Sequence, residues 1–270
     1  MNNYAVIGNP IHHSLSPTIH AQFAKQIGLS MSYEKILAPL DGFTFTAKNF
    51  VSSGALGFNI TVPFKVEAYD LVDECTSNAN IAGSVNTIKV KSGALYGENT
   101  DGIGLVNDLY NNLQQSIKGK DILILGAGGT TQGILLPLLE CQPERILVAN
   151  RTKVKSLKLA SKYSKYGKVC GFGLDQIKAK PVDIIINATS ASLDGKMPEI
   201  PSGVAAGALC YDLMYGRQTP FMQWARENSA IEVTDGLGML VEQAASAFAF
   251  WHGITPKTKE VIKSLREIVD

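Results

Sequence analysis

Cysteine is scarce and scattered. Cys75, Cys141, Cys170 and Cys210 are the only four, and no two form a CxxC pair. That excludes a compact disulfide framework and a thiolate metal knot. Reduced, buried thiols in a cytoplasmic protein are the expectation. Histidine is equally sparse: its four residues form no HExxH or other ligand spacing, so no metal is expected. Long apolar runs are missing too. No stretch nears the ~18 residues of a membrane span, and the longest, such as residues 122–125, are strand-sized. The N-terminus lacks the charged-then-apolar pattern of a secretory signal. Charge of one sign is absent as well. The net charge of +1 favours neither nucleic acid nor an anionic membrane, so an anionic ligand needs a local site.

The 270 residues suffice for one large or two modest domains. Short apolar strands alternate with helical patterns, which argues an α/β fold with a largely parallel sheet. In the first hundred residues strands are expected at 4–8, 33–38 and 55–61. A hairpin is expected from 84–90 and 94–97 around Ser92-Gly93. Ser16-Pro17 reads as an N-cap followed by proline at the first helical position. Lys118-Gly119-Lys120 marks a break. Strands at 121–126, 145–149, 168–172, 183–188 and 209–214 then suggest a dinucleotide-binding unit. Pro137 is expected to kink the helix after the first of these. From Leu240 the pattern is helical to the end.

Gly126-Ala127-Gly128-Gly129 follows a strand and opens a helix. Its glycines allow close approach to a pyrophosphate, which the helix N-terminus favours. The third fingerprint position is Thr131 rather than Gly or Ala. The next strand ends in Asn150-Arg151-Thr152, with Lys155 just beyond. An NAD enzyme usually carries an acid there for the ribose 2′-hydroxyl. Arg151 instead can stack on adenine and pair with a 2′-phosphate, so NADP is favoured over NAD. Thr189, in Asn187-Ala188-Thr189-Ser190, lies at a strand end where ligands sit.

Other motifs carry hydroxyls, amides and charges. Ser14 and Ser16 lie two apart before a helix, where their hydroxyls suit a carboxylate; the alternative is that Ser16 only caps the helix. Asn59 and Thr61 alternate, and so face one side of a strand. Lys65 follows Pro63 near a helix start, where a cation is disfavoured, which suits a proton-transfer role. Asn86 sits in Ser84-Val85-Asn86-Thr87. Asp101, in Glu98-Asn99-Thr100-Asp101-Gly102, is placed to hold the Lys65 ammonium or to cap the following helix.

The motifs HSLSP, GFNITVPFK, SVNT, GENTDG, GAGG, NRT, NATS and DGLGMLVEQA occur in the order seen in shikimate dehydrogenases, and the chain resembles that family. The resemblance implies a substrate domain at 1–101, a Rossmann-type NADP domain at 102–237, and C-terminal helices at 238–270 that pack on the substrate domain. By motif, Lys65 and Asp101 would be the catalytic pair. Ser14 and Ser16 would hold the substrate carboxylate, and Asn59, Thr61, Asn86 and Gln243 the ring hydroxyls and neighbouring groups. NADP would be held by Gly126, Ala127, Gly128, Gly129, Asn150, Arg151, Thr152, Lys155 and Thr189. Tyr215, Gly236 and Met239 would line the join of substrate and nicotinamide. The implied reaction is reversible reduction of 3-dehydroshikimate to shikimate in aromatic amino-acid biosynthesis. The expected protein acts as a monomer or homodimer. Two departures stand out: Thr130-Thr131 after GAGG, and Ser192 after NATS. An NAD-dependent quinate/shikimate dehydrogenase is one rival, which an acid at Asn150 would have favoured. A silent NADP-binding regulator is another, which should have lost Lys65 or Asp101.

Overall fold

The structure, a computed structural model, describes residues 2–189, 191 and 195–269; Ser192 lies outside them. The chain forms two compact units, Met1–Leu105 with Leu240–Lys263, and Val106–Met239 with Ser264–Asp270.

The first unit runs β1 (Asn2–Gly8), α1 (Ser16–Gln26), β2 (Met31–Leu37), α2 (Phe43–Ser52), β3 (Ala55–Ile60), α3 (Lys65–Leu71), β4 (Glu74–Cys75), α4 (Ser77–Ala82), β5 (Thr87–Lys91), β6 (Ala94–Glu98) and most of α5 (Asp101–Asn107). Its sheet order is β2-β1-β3-β5-β6-β4. The sheet is mixed. β1 is parallel to β2 and β3, whereas β5 is antiparallel to β3 and β6. The turn from β5 back to β6 is the expected hairpin: Ser92 and Gly93 both take positive φ, which matches the twist of a tight two-residue turn. β4 is only two residues long, too short for any periodicity to announce. Ile7, Phe43, Phe58, Phe64 and Ile88 form the core of this unit.

The second unit holds β7 (Asp121–Leu125), α6 (Gly129–Glu140), β8 (Arg145–Asn150), α7 (Lys153–Tyr163), β9 (Val169–Gly173), β10 (Ile184–Asn187), β11 (Leu209–Asp212), α8 (Pro220–Glu227) and β12 (Glu232–Thr234). Its six strands lie in the order β12-β11-β10-β7-β8-β9, and every pairing is parallel. That is the doubly wound order of dinucleotide-binding sheets, with its switch point between β7 and β10. β7 and β10 are apolar almost throughout because both faces are covered. α6 continues through Pro137, which has no N–H to donate to the carbonyl of Gly133 four residues earlier.

The C-terminal helical stretch is two helices, α9 (Leu237–His252) and α10 (Lys259–Val269), separated after Gly253, which takes φ 73°. Residues 264–270 were expected with the substrate domain but group with the second unit. Arg266 forms an ion pair with Asp235 of that unit.

Candidate active site

In the first unit a Lys–Asp pair sits at the end of a continuous hydrogen-bonded array. Lys65 opens α3 directly after the Thr61–Phe64 turn, and Asp101 opens α5. Lys65 Nζ lies 2.5 Å from Asp101 Oδ2, with only 12% and 6% of the two side chains exposed. The disfavoured start of a short helix is thus offset by an adjacent carboxylate. Asn86 Nδ2 donates to Asp101 Oδ1 at 2.8 Å and approaches Gln243 Oε1 at 3.3 Å. Gln243 lies on α9, and it fits because residue 104 is glycine: a Cβ there would lie 2.6 Å from Gln243 Cβ.

The array continues across the sheet. Thr87 donates to Asn86 Oδ1 and accepts from Asn59 Nδ2, each at 3.0 Å. The antiparallel register sets Asn59 opposite Thr87. Tyr33 donates to Asn59 Oδ1 at 2.7 Å. Ser16 in turn interacts with the Tyr33 hydroxyl, and Ser14 Oγ lies 3.2 Å from Ser16 Oγ. Six of the expected residues, Ser14, Ser16, Asn59, Asn86, Asp101 and Gln243, therefore join Lys65 in one array. Thr61 follows β3 half-buried, and its backbone N–H pairs with Ile7 O at 2.9 Å.

In the second unit the glycine turn follows β7. Gly126 has φ 108°, and a Cβ there would stand 2.9 Å from Ala188 O, just after β10. Only glycine satisfies both demands at this switch point. Around Gly128 the space is open. Thr131 is fully buried and donates to Gly126 O at 3.1 Å, so the departure from the fingerprint is absorbed without an unpaired hydroxyl. Arg151, Thr152 and Lys155 are exposed after β8, and Asn150 Nδ2 donates to Thr152 O at 3.0 Å.

Family models for the shikimate dehydrogenase substrate binding domain, for shikimate/quinate 5-dehydrogenase and for the shikimate 5′-dehydrogenase C-terminal domain match residues 6–88, 108–194 and 236–266. A shikimate dehydrogenase (NADP(+)) of Ruthia magnifica subsp. Calyptogena magnifica is 62% identical over 266 residues, which covers 98% of this chain and 100% of the relative. The chain belongs to the shikimate dehydrogenase family. Among solved structures, an Ael1 enzyme from Pseudomonas putida superposes with a TM-score of 0.91 at 41% identity over 98% of each chain. A shikimate 5-dehydrogenase from Thermus thermophilus, in complex with NADP(H) and shikimate, gives 0.87 at 32% identity over 99% of each chain.

Three further candidates of this shikimate dehydrogenase family member gather beyond β11. Tyr215 is half-buried, and the next residue, Gly216, donates its N–H to Asp235 Oδ2 at 3.3 Å. Gly236 N donates to Met214 O at 2.8 Å. Met239 is buried, and its N–H points to the Tyr211 hydroxyl at 3.3 Å. Thr189 hydrogen-bonds Asn187 Oδ1 through both its N–H and its hydroxyl.

The expected N-cap of α1 is corrected. Ser16 is not the N-cap of α1; Leu15 is, without a side-chain bond. Ser14 Oγ accepts from Ser16 N at 3.3 Å instead, so the earlier serine serves the helix end. Pro17 in the first turn moves the helical start one residue ahead of the pattern. Sequence reasoning also missed Tyr33, Thr87 and Thr100, whose N–H donates to Asn86 Oδ1 at 2.9 Å. The two threonines stood inside motifs already singled out. Tyr33 carried no signal, because a strand tyrosine reads as packing.

Among the described residues, no group of three or more His, Cys, Asp or Glu could hold a metal ion, and no helix is long and apolar enough to cross a membrane.

Proposed function

We propose that this chain catalyses the reversible NADP-dependent reduction of 3-dehydroshikimate to shikimate in aromatic amino-acid biosynthesis, with Lys65 and Asp101 handling the proton. The observation that carries this reading is the Lys65–Asp101 pair, largely sealed from solvent and tied through Asn86 to Gln243.

Reduction turns a ring ketone into an alkoxide. The Lys65 ammonium polarises that oxygen and then protonates it. Asp101 holds the ammonium in place and accepts from a ring hydroxyl. In the oxidative direction Lys65 takes the hydroxyl proton back. Ser14 and Ser16 donate to the substrate carboxylate, and Asn59, Thr61, Asn86 and Gln243 hold the ring hydroxyls.

The second unit fits a dinucleotide, because its glycine turn leaves open space at Gly128 before the twelve-residue α6. Gly126 to Gly129 would hold the pyrophosphate, Asn150, Arg151, Thr152 and Lys155 the adenosine 2′-phosphate, and Thr189, Tyr215, Gly236 and Met239 the nicotinamide end. NADP, when bound, supplies the hydride in reduction and accepts it in oxidation. The absence of an acid among residues 150–152 supports NADP over NAD. Free cysteines at 75, 141, 170 and 210 support a cytoplasmic location.

The test is a spectrophotometric assay of NADP reduction with shikimate, beside quinate and NAD. Turnover of shikimate with NADP well above the other three combinations is expected. No turnover, or preference for quinate with NAD, overturns the reading.

A further inference from the structure

Asp212 ends β11 fully sealed from solvent. Its register partner on β10 is Asn187. Asp212 Oδ1 accepts from Asn187 Nδ2 at 3.2 Å and from the Met214 N–H at 3.1 Å. Asp212 Oδ2 accepts from the Thr219 hydroxyl at 2.5 Å. Thr219 Oγ1 in turn accepts from Met222 N at 3.2 Å, so the same hydroxyl caps α8. One carboxylate therefore gathers β10, the segment after β11 and the start of α8.

Such a group is a costly choice for stability alone. Burial pushes the Asp212 carboxyl above its ordinary range, although three donors pull it the other way. What the carboxylate provides is orientation. Because Asn187 Nδ2 is engaged by Asp212, Asn187 Oδ1 faces away from it. That oxygen receives both the N–H and the hydroxyl of Thr189, at 3.2 and 2.8 Å. An apolar residue at 212 would remove the acceptor that Asn187 Nδ2, the Met214 N–H and the Thr219 hydroxyl share. On the other side, Met214, held by the carboxylate, accepts from Gly236 N–H and leads directly into Tyr215.

We propose that Asp212 is a positioning residue that sets Thr189 and Tyr215 for the cofactor through Asn187, Met214 and Thr219. The inference rests on the reading above that these two residues contact NADP.

The test measures NADP and shikimate dissociation constants of the full chain by calorimetry, far below the melting temperature of each variant. Asp212→Asn keeps the shape but turns an NH2 towards donors. It is expected to weaken NADP by at least about tenfold, as a lost charged acceptor should, and to leave shikimate within about twofold. Asn187→Ala should weaken NADP similarly, and the double variant should be no worse than the poorer single, since both act through one link. Thr219→Val should weaken NADP in part, whereas Thr219→Ser, which keeps the hydroxyl, should bind as the parent does. Should Asp212→Asn fail to fold, the Asn187 and Thr219 variants carry the test. A lowered melting temperature with NADP affinity within about twofold of the parent would assign these residues a structural role only and overturn the proposal. Failure of the parent chain to bind NADP at all would instead overturn the functional reading.

Discussion

Lys65 and Asp101 lie 36 residues apart and end up 2.5 Å apart. Removing the ammonium should strike turnover rather than ground-state binding. Lys65→Met should lower kcat by ~10²–10⁴-fold, as loss of a general acid does. Shikimate affinity by calorimetry should shift by less than about tenfold, and full activity at any pH would rule the role out. Asp101→Asn should also slow turnover, and the double variant should lose less than the product of the singles, because the two act as one unit. Arg151 supports a second test. Arg151→Ala should raise KM for NADP by roughly ten- to a hundredfold, the value of a charged phosphate contact, with far less effect on NAD. Equal effects on both cofactors would show that Arg151 does not read the 2′-phosphate. These side chains were legible in the sequence because their motifs pack several functional groups into a few residues. Their mutual distances were not, since a spacing of 36 residues leaves the three-dimensional separation open.

At the scale of elements, α1 is where local pattern and structure part. With Leu15 as the cap residue, Ser16→Ala should cost the helix little, whereas loss of a true serine cap costs about 1 kcal/mol. Ser14→Ala, by contrast, should weaken shikimate binding and leave NADP affinity unchanged; normal shikimate binding in both variants would remove the carboxylate role. Further along α1, His20 is fully buried, stacked on Tyr33 of β2 at 4.5 Å and tilted against Trp251 of α9. Neither ring nitrogen has a hydrogen-bond partner. Burial holds its pKa down to about 3, and the nearby Asn59 acts in the opposite sense. The folded state thus keeps His20 neutral while the unfolded chain protonates it below about 6.5. The unfolded state binds more protons between those values, so stability is fully present above pH 6.5 and declines as pH falls towards 3. At pH 5 the loss from this one group is about 2 kcal/mol. Denaturant melts at pH 7.5 and 5 should show it, and His20→Phe should flatten that dependence. An unchanged slope in the variant would place the titration elsewhere.

At the scale of the molecule, the sequence showed a break near residue 118 and a doubly wound pattern after it, whereas the two compact units divide earlier, between Leu105 and Val106. The parallel sheet of the second unit came through because β7, β8 and β11 are short, largely apolar runs, each followed by a helix. The first sheet proved mixed, because β5 runs antiparallel to both β3 and β6. Ser264–Asp270 group with the second unit, where Arg266 pairs with Asp235. A ligand that binds only the folded chain raises its stability by mass action, by ~2.7 kcal/mol at a hundredfold excess over Kd. NADP and shikimate should therefore each raise the melting temperature when added alone. A shift with neither ligand would argue against both sites.

The order and chemistry of the motifs were determined by the sequence alone: a glycine turn between strand and helix, a basic rather than acidic end to the next strand, and a lysine behind a proline. These are local features, set by backbone sterics and by which side chains stand within a few residues of one another. Tertiary structure decided the convergence. Gln243 reaches Asn86 across 157 positions, and the Tyr33 hydroxyl of β2 reaches Asn59 of β3 across the intervening β1. Tertiary structure also decided which way each amide faces, since an asparagine takes its orientation from donors and acceptors on neighbouring strands. Strand order and register supply those partners, and local pattern alone does not specify either.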